Sequence, residues 1–381
     1  MSIDTGTTQR PLAQGHALTV AYVKRRGLAR LAIVNFILNV LTLFIYRFWA
    51  KTRVRRHIWA SIQLNGESLE YTGTGKELFL GALIVFLVLI LPTVVVFSVL
   101  STIYGPEHWS VPLAQLTVVL VYLLLYGMAV YRARRYRLSR TLWRGIRGTL
   151  VGSSWTFSLL YFASLLLRSM TLGWTTPAMN LELQQRLIRD MRFGDSSFGF
   201  KGRAGPLYPT YAVCWFATLI MMLTLVGFIA VWFEDGIGKF VGMVMGKEQP
   251  FPPDVTNLVV LFVIGVILSI VLAYYLLGGF IWSFYQAREM RLFWSYTTIH
   301  NARFRLNATA GSLIRLWVGN LALLVFTLGI GIPFIAQRNA RYICDRLTID
   351  GTVDLEAIMQ SQAPIDRRGE GLAEAFDIDV F

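Results

Sequence analysis

Cysteine, histidine and charge are all scarce in this 381-residue chain, and each shortage removes a class of function. The two cysteines, Cys214 and Cys344, sit in no CxxC pair, so there is no disulfide framework and no cysteine-based metal site. The four histidines, His16, His57, His108 and His300, fall at no metal-ligand spacing, and no metal or other cofactor is expected. Charged residues make up 15% of the chain, where a soluble domain carries roughly a quarter. No carboxylate lies deep in an apolar run, which argues against a proton path built on an intramembrane Asp or Glu. HExxH, GxSxG and any close Ser/His/Asp or Cys/His grouping are missing, so the chain reads as a non-enzyme. Residues 1–23 hold no apolar core, which excludes a cleavable signal peptide; they read as a polar cytoplasmic leader.

What is abundant is apolar surface. Hydrophobic residues form 55% of the chain and mean hydropathy is +0.53, and the excess sits in long runs, the pattern of a multi-spanning membrane protein. Apolar segments occur at 31–49, 80–101, 113–131, 153–174, 211–233, 257–284 and 313–335. The net charge of +14 clusters at their ends, so topology and anionic lipid headgroups explain it and nucleic acid is not expected.

The connectors set orientation. Residues 102–112 carry no Lys or Arg, and 234–256 offset Lys239 and Lys247 with Glu234, Asp235, Glu248 and Asp254, so both read as external. Residues 131–150 hold seven arginines, 47–57 hold Arg47, Lys51, Arg53, Arg55 and Arg56, and 175–206 hold five basic residues; these read as cytoplasmic. Segments 1, 4 and 7 then have basic flanks at both ends, which a crossing helix cannot satisfy. Two readings stand. Either these three dip in and return, or lie along the interface, while the other four cross; or all seven cross and the charge rule is weakly obeyed. Both chain ends are expected in the cytoplasm.

The chain also matches itself. At an offset of 285, Arg30 falls on Arg315, Asn35 on Asn320, Thr42-Leu43 on Thr327-Leu328, Arg53 on Arg338 and Arg56 on Arg341. At an offset of 129, Thr171-Leu172 falls on Thr42-Leu43, and Tyr131-Arg-Ala-Arg resembles Tyr285-Gln-Ala-Arg. Short basic helices recur with arginines three apart, Arg53/Arg56, Arg134/Arg137, Arg288/Arg291 and Arg338/Arg341, which shares a helix face. Hairpin-like stretches follow these four and the end of segment 4's basic connector, turning at Asn65-Gly66, Arg144-Gly145, Gly194-Asp195, His300-Asn301 and Asp350-Gly351. The expected fold is an all-α polytopic membrane protein with internal repeats, plus small cytoplasmic β-hairpins that assemble into a β layer. Residues 24–355 would form the membrane domain with its hairpins, and 356–381 an acidic cytoplasmic tail that docks on the basic face or stays disordered.

The run Asn39-Val-Leu-Thr-Leu-Phe-Ile-Tyr-Arg-Phe-Trp-Ala-Lys-Thr-Arg-Val-Arg-Arg56, then Leu64-Asn-Gly and Tyr71-Thr-Gly-Thr-Gly-Lys-Glu-Leu-Phe79, resembles the bacterial inner-membrane family of unknown function typified by YjgN. Thr327-Leu-Gly-Ile-Gly-Ile-Pro333 and Thr171-Leu-Gly-Trp-Thr-Thr-Pro177 look like its TLG…P element, from which segment 1 departs with Phe44 for Gly and Phe48 for Pro. The resemblance covers roughly residues 25–355. It implies an inner-membrane location and supplies no activity.

Candidate binding residues lie on the aligned segments. Asn35, Asn39 and Thr42 form a polar stripe on segment 1, Ser164, Arg168 and Thr171 on segment 4, and Asn320 with Thr327 on segment 7. One reading is a shared cavity for a small anionic solute or lipid headgroup, with Arg168 as the charge; the other is polar contact between helices with a snorkelling arginine. The arginine pairs are candidate headgroup contacts or simple topology signals. Gly73-Thr-Gly-Lys76 lacks the spacing of a phosphate loop and reads as a tight turn. A transporter or channel-like protein is the leading expectation, and a non-catalytic membrane scaffold or regulatory subunit the alternative. Membrane lipids are the expected partners, with a homo-oligomer or another membrane protein left open.

Overall fold

The computed structural model describes residues 16–232, 242, 253–353, 358 and 359. Residues 234–241 and 243–252 of the connector read as external, and the acidic tail from 360, lie outside the described residues. Two compact units divide the chain: Met1–Arg203 with Arg291–Asn307 and Asn320–Phe381, and Ala204–Met290 with Ala308–Gly319.

The apolar runs become helices because they hold few breakers and satisfy their backbone internally, the one helical solution open to a chain in lipid. Among the described residues, four stretches are long and apolar enough to cross a membrane: Gly75–Tyr104, Ser110–Arg140, Gly205–Phe228 and Ile264–Tyr296. The first joins α3 (Gly75–Val85) to α4 (Leu91–Tyr104) through a π-turn at Phe86–Ile90, where the ladder loosens just ahead of Pro92, which has no N–H to give. The second is α5 (Ser110–Arg140), where Gly127, lacking a side chain, admits the backbone of the next helix at Ser158.

Segments 1, 4 and 7 are built differently. They form α1 (Leu28–Leu41), α6 (Ser154–Met170) and α10 (Ala310–Phe326), of 14, 17 and 17 residues. Each ends in a five-residue turn that leads into α2 (Arg47–Trp59), α7 (Thr176–Asp190) or α11 (Ile332–Cys344). α2 packs back on α1, and α7 on α6. The remaining helices are α8 (Tyr208–Trp232) and α9 (Pro253–Tyr296), both in or reaching the second unit.

The hairpins assemble into a sheet. β5 (Glu70–Tyr71), β6 (Thr141–Trp143), β7 (Ile146–Leu150), β8 (Met191–Phe193), β9 (Ser196–Phe200), β10 (Thr297–Ile299), β11 (Ala302–Leu306) and β12 (Leu347–Asp350) pair in chain order as one eight-stranded antiparallel sheet. β6, β8 and β10 start at the residue after α5, α7 and α9, so each helix end feeds a strand directly. Asn65, Gly66, Arg144 and Gly145 all have positive φ, the type I′ geometry that the Asn-Gly and Arg-Gly spacing predicts. One face is apolar, with Ile299, Ala302, Val353 and Ile358 buried against Ile146, Phe193, Phe198, Phe304 and Ile349.

Two strand expectations need correction. Asp350-Gly351 does not close a hairpin: β12 pairs with β11, while β13 (Thr352–Val353) leaves it and pairs with β1 (His16–Ala17). Gly351 has φ +102 and a Cβ there would collide with the Asn301 carbonyl, so the chain swings away instead of folding back. The polar leader is also partly structural. Residues 16–17 form β1, and β2 (Val20–Tyr22) pairs with β3 (Ile62–Leu64), which pairs with β4 (Glu67–Ser68). Their alternation is too short to be legible in a polar stretch.

Candidate functional site

The aligned threonines occupy one geometry three times. Thr42 Oγ1 donates to the Leu38 carbonyl and accepts the Tyr46 N–H at 2.9 Å. Thr171 Oγ1 donates to the Leu167 carbonyl and accepts the Thr175 N–H at 3.3 Å. Thr327 Oγ1 donates to the Leu323 carbonyl and accepts the Gly331 N–H at 2.7 Å. The next residue, Leu43, Leu172 or Leu328, is left-handed with φ 48°, 49° and 48°. The N–H after it, of Phe44, Gly173 or Gly329, reaches back to the carbonyl of Asn39, Arg168 or Leu324. These hydroxyls therefore hold the turns, and their hydrogen-bonding capacity is largely spent there.

The other stripe residues sit in the seams of the hairpins. Asn35 is buried and donates from Nδ2 to the Ala50 carbonyl on α2 at 3.4 Å. Ser164 is buried and donates to the Tyr161 carbonyl of its own helix at 2.6 Å. Arg168 Nη2 donates to Asn180 Oδ1 on α7 at 2.8 Å, and Asn320 Nδ2 donates to Asn339 Oδ1 on α11 at 2.8 Å. Asn180 and Asn339 are partners that sequence reasoning missed, since they fall at unlike distances from their turns. Four of their buried atoms have no partner among the described residues: Asn35, Asn39 and Asn320 Oδ1 and Arg168 Nε. Each stripe thus lies along its own hairpin.

The arginine pairs share spacing and not fate. Arg56 donates to the Gly73 carbonyl at 2.9 Å, while exposed Arg53 lies over the Tyr46 ring at 5.3 Å. Arg137 Nε bonds the Ala133 carbonyl of its own turn, whereas Arg134 is half-buried and makes no hydrogen bond or ion pair among the described residues. Arg288, in the second unit, donates to Thr210 Oγ1 at 3.1 Å; Arg291, in the first, is exposed. Arg338 is half-buried, and Arg341 pairs with Asp345 at 3.1 Å.

Where helices meet the sheet, carboxylates fix the basic ends. Glu77 accepts from Tyr136 at 2.6 Å and from Arg140 at 2.7 Å, joining α3 to α5. Asp190 accepts from Tyr131 at 2.8 Å, tying α7 to α5, and Arg135 donates to the Leu150 and Gly152 carbonyls beside it. Thr74 of the Gly-Thr-Gly-Lys run caps α3 by accepting the Glu77 N–H, so that run is a helix start. On α2, burial and then the Arg25 charge hold His57 below the usual histidine range. Burial, with Asp345 adding to it, pushes the Cys344 thiol up to about 11.

Residues 23–375 match a family described as a bacterial protein of unknown function (DUF898). Among curated relatives, "Inner membrane protein YjgN" of Salmonella typhimurium (strain LT2) is 40% identical over 60 residues, 16% of this chain and 15% of the relative. The proteins of that name from Escherichia coli O157:H7 and strain K12 are 28% and 27% identical over 118 and 117 residues, 31% of this chain and 27% of each relative. The aligned stretches thus span about a quarter or less of those relatives. No solved structure matches the chain.

Proposed function

The chain belongs to the DUF898 family, and we propose that it is an inner-membrane protein of the transporter or channel kind that handles a small anionic solute or lipid headgroup. In this reading the sheet and the basic helix ends face the cytoplasm. The four long helices cross, and the pairs α1–α2, α6–α7 and α10–α11 enter from the cytoplasmic side and return. Arm lengths support the dip: at 1.5 Å per residue, 14 to 17 residues reach about 21–26 Å, short of a ~30 Å hydrocarbon core. The returning arms also turn charged early, at Arg47, Glu182 and Arg338. The threefold turn geometry supports an origin in internal repeats.

Arg168 carries the anion reading. Asn180 fixes one edge of its guanidinium, and its buried Nε has no partner among the described residues, so an oriented cation stands inside an apolar segment. The test replaces Cys214 and Cys344 with Ser and places single cysteines at 164, 168 and 171. Labelling of all three by an impermeant thiol reagent, reduced by an added anion at 164 and 171, where Arg168 remains, is the expected result. No labelling there, with labelling of a control at 110, would refute it.

A second reading is a non-catalytic scaffold or regulatory subunit. It is favoured by the eight-stranded sheet, which exposes Arg192, Arg303 and Arg305 on its polar face. A scaffold needs no water at Arg168, so the same labelling separates the two.

A further inference from the structure

Hairpin tips normally expose polar side chains and leave backbone groups to water. The α1–α2 tip does neither. Leu41, Leu43, Phe44 and Ile45 are exposed, Leu43 to 84% of its surface. The N–H groups of residues 42 to 45 all find carbonyls within the turn, and the Tyr46 N–H finds Thr42 Oγ1. A backbone that asks nothing of water beside side chains that avoid it suits hydrocarbon.

The tips at Leu172 and Leu328 share that self-satisfied backbone, but the α1–α2 hairpin differs in its returning arm. That arm begins with Arg47, three residues past Phe44, or about 4.5 Å of helical rise. In the other two the first charge after the turn is Glu182 or Arg338, a turn or more further from the tip. Arg47 and Arg53 are both exposed, and neither makes an ion pair or hydrogen bond among the described residues. Each is instead steadied by an aromatic face, Arg47 over Phe48 at 5.1 Å and Arg53 over Tyr46 at 5.3 Å. Tyr46 stacks on Trp49, and its buried hydroxyl has no partner among the described residues. Apolar side chains and two exposed guanidinium groups without an ion pair among the described residues are thus set within a short stretch of the chain.

We infer that the α1–α2 tip is a binding site for an anionic phospholipid. The acyl chains lie on Leu41, Leu43, Phe44 and Ile45, and the phosphate is held by Arg47 and Arg53. A zwitterionic lipid offers the same chains but cancels the charge, so the site distinguishes headgroups. A free phosphate offers the charge without the chains. The site does not depend on transport through Arg168, and it stands or falls separately.

The test uses the purified full-length protein in a neutral detergent and reads its melting temperature as lipid is added. Phosphatidylglycerol raises it in a concentration-dependent way, more than phosphatidylcholine does, and added salt shrinks the difference. R47Q/R53Q loses the difference, R47K/R53K keeps most of it, and Arg192→Gln on the sheet leaves it unchanged. Inorganic phosphate alone produces no comparable shift. Equal effects of the two lipids, a preference that survives R47Q/R53Q, an equal loss in R192Q, or a full shift with inorganic phosphate would each overturn the assignment. Should R47Q/R53Q fail to fold, Leu43→Ser and R47Q as separate variants carry the test: the first weakens both lipids and the second only the anionic one.

Discussion

Arg168 and Asn180 meet at 2.8 Å across the seam of the α6–α7 hairpin, so the charge most exposed to a functional reading also binds two helix arms together. Arg168→Leu removes a hydrogen bond from a charged group to the partly buried Asn180 Oδ1. The expected cost is about 1–3 kcal/mol. R168L/N180L shows how much of that cost belongs to this pair. Thermal unfolding of the two single variants and the double variant measures the coupling.

Phe44 stands where the two sister turns have Gly173 and Gly329. It has φ +66, a left-handed conformation that costs an L-residue about 1–2 kcal/mol. Phe44→Gly should therefore raise the melting temperature in detergent, and Gly329→Ala, at φ +88, should lower it. Opposite signs would show that contacts of the Phe44 ring outweigh the backbone.

Both cysteines are buried, and the Cys344 thiol is pushed up to about 11. At pH 8 roughly one Cys344 in a thousand is thiolate. Alkylation of Cys344 in the native protein should be slow at that pH and become fast on denaturation, as followed by mass spectrometry.

His57 lies below its usual value of 6.5 because burial, and then Arg25, disfavour its charged form. The unfolded chain therefore takes up that proton more readily than the folded one. Stability from this group is present above about pH 6.5 and is lost as pH falls below it. Melting temperature should drop between pH 7.5 and 5.5, and His57→Gln should flatten part of that drop.

Much of the architecture is legible in the residues, for identifiable reasons. Long apolar runs give the four crossing-length helices, and Asn65-Gly66 and Arg144-Gly145 give turns with positive φ because few other conformations suit them. Thr42, Thr171 and Thr327 are found by alignment, yet their role is not: a threonine in an apolar run reads as a polar stripe until its hydroxyl is seen to cap a turn. Strand partners are the hardest part. Nothing local says that Thr352 pairs with Ala17, since register across the whole chain is set by tertiary closure. The basic pairs show the same limit, because equal spacing places Arg134 and Arg341 in unlike surroundings.

The topology proposed for the membrane domain rests on α6 and α7 going in and coming back on one side. Reporter fusions placed after residue 150, in β7, and after residue 206, beyond β9, test it most directly. Both are expected on the cytoplasmic side, with a control fusion near residue 106 on the other. Residues 150 and 206 on opposite sides would contradict it, and segment 4 would then be a plain crossing helix.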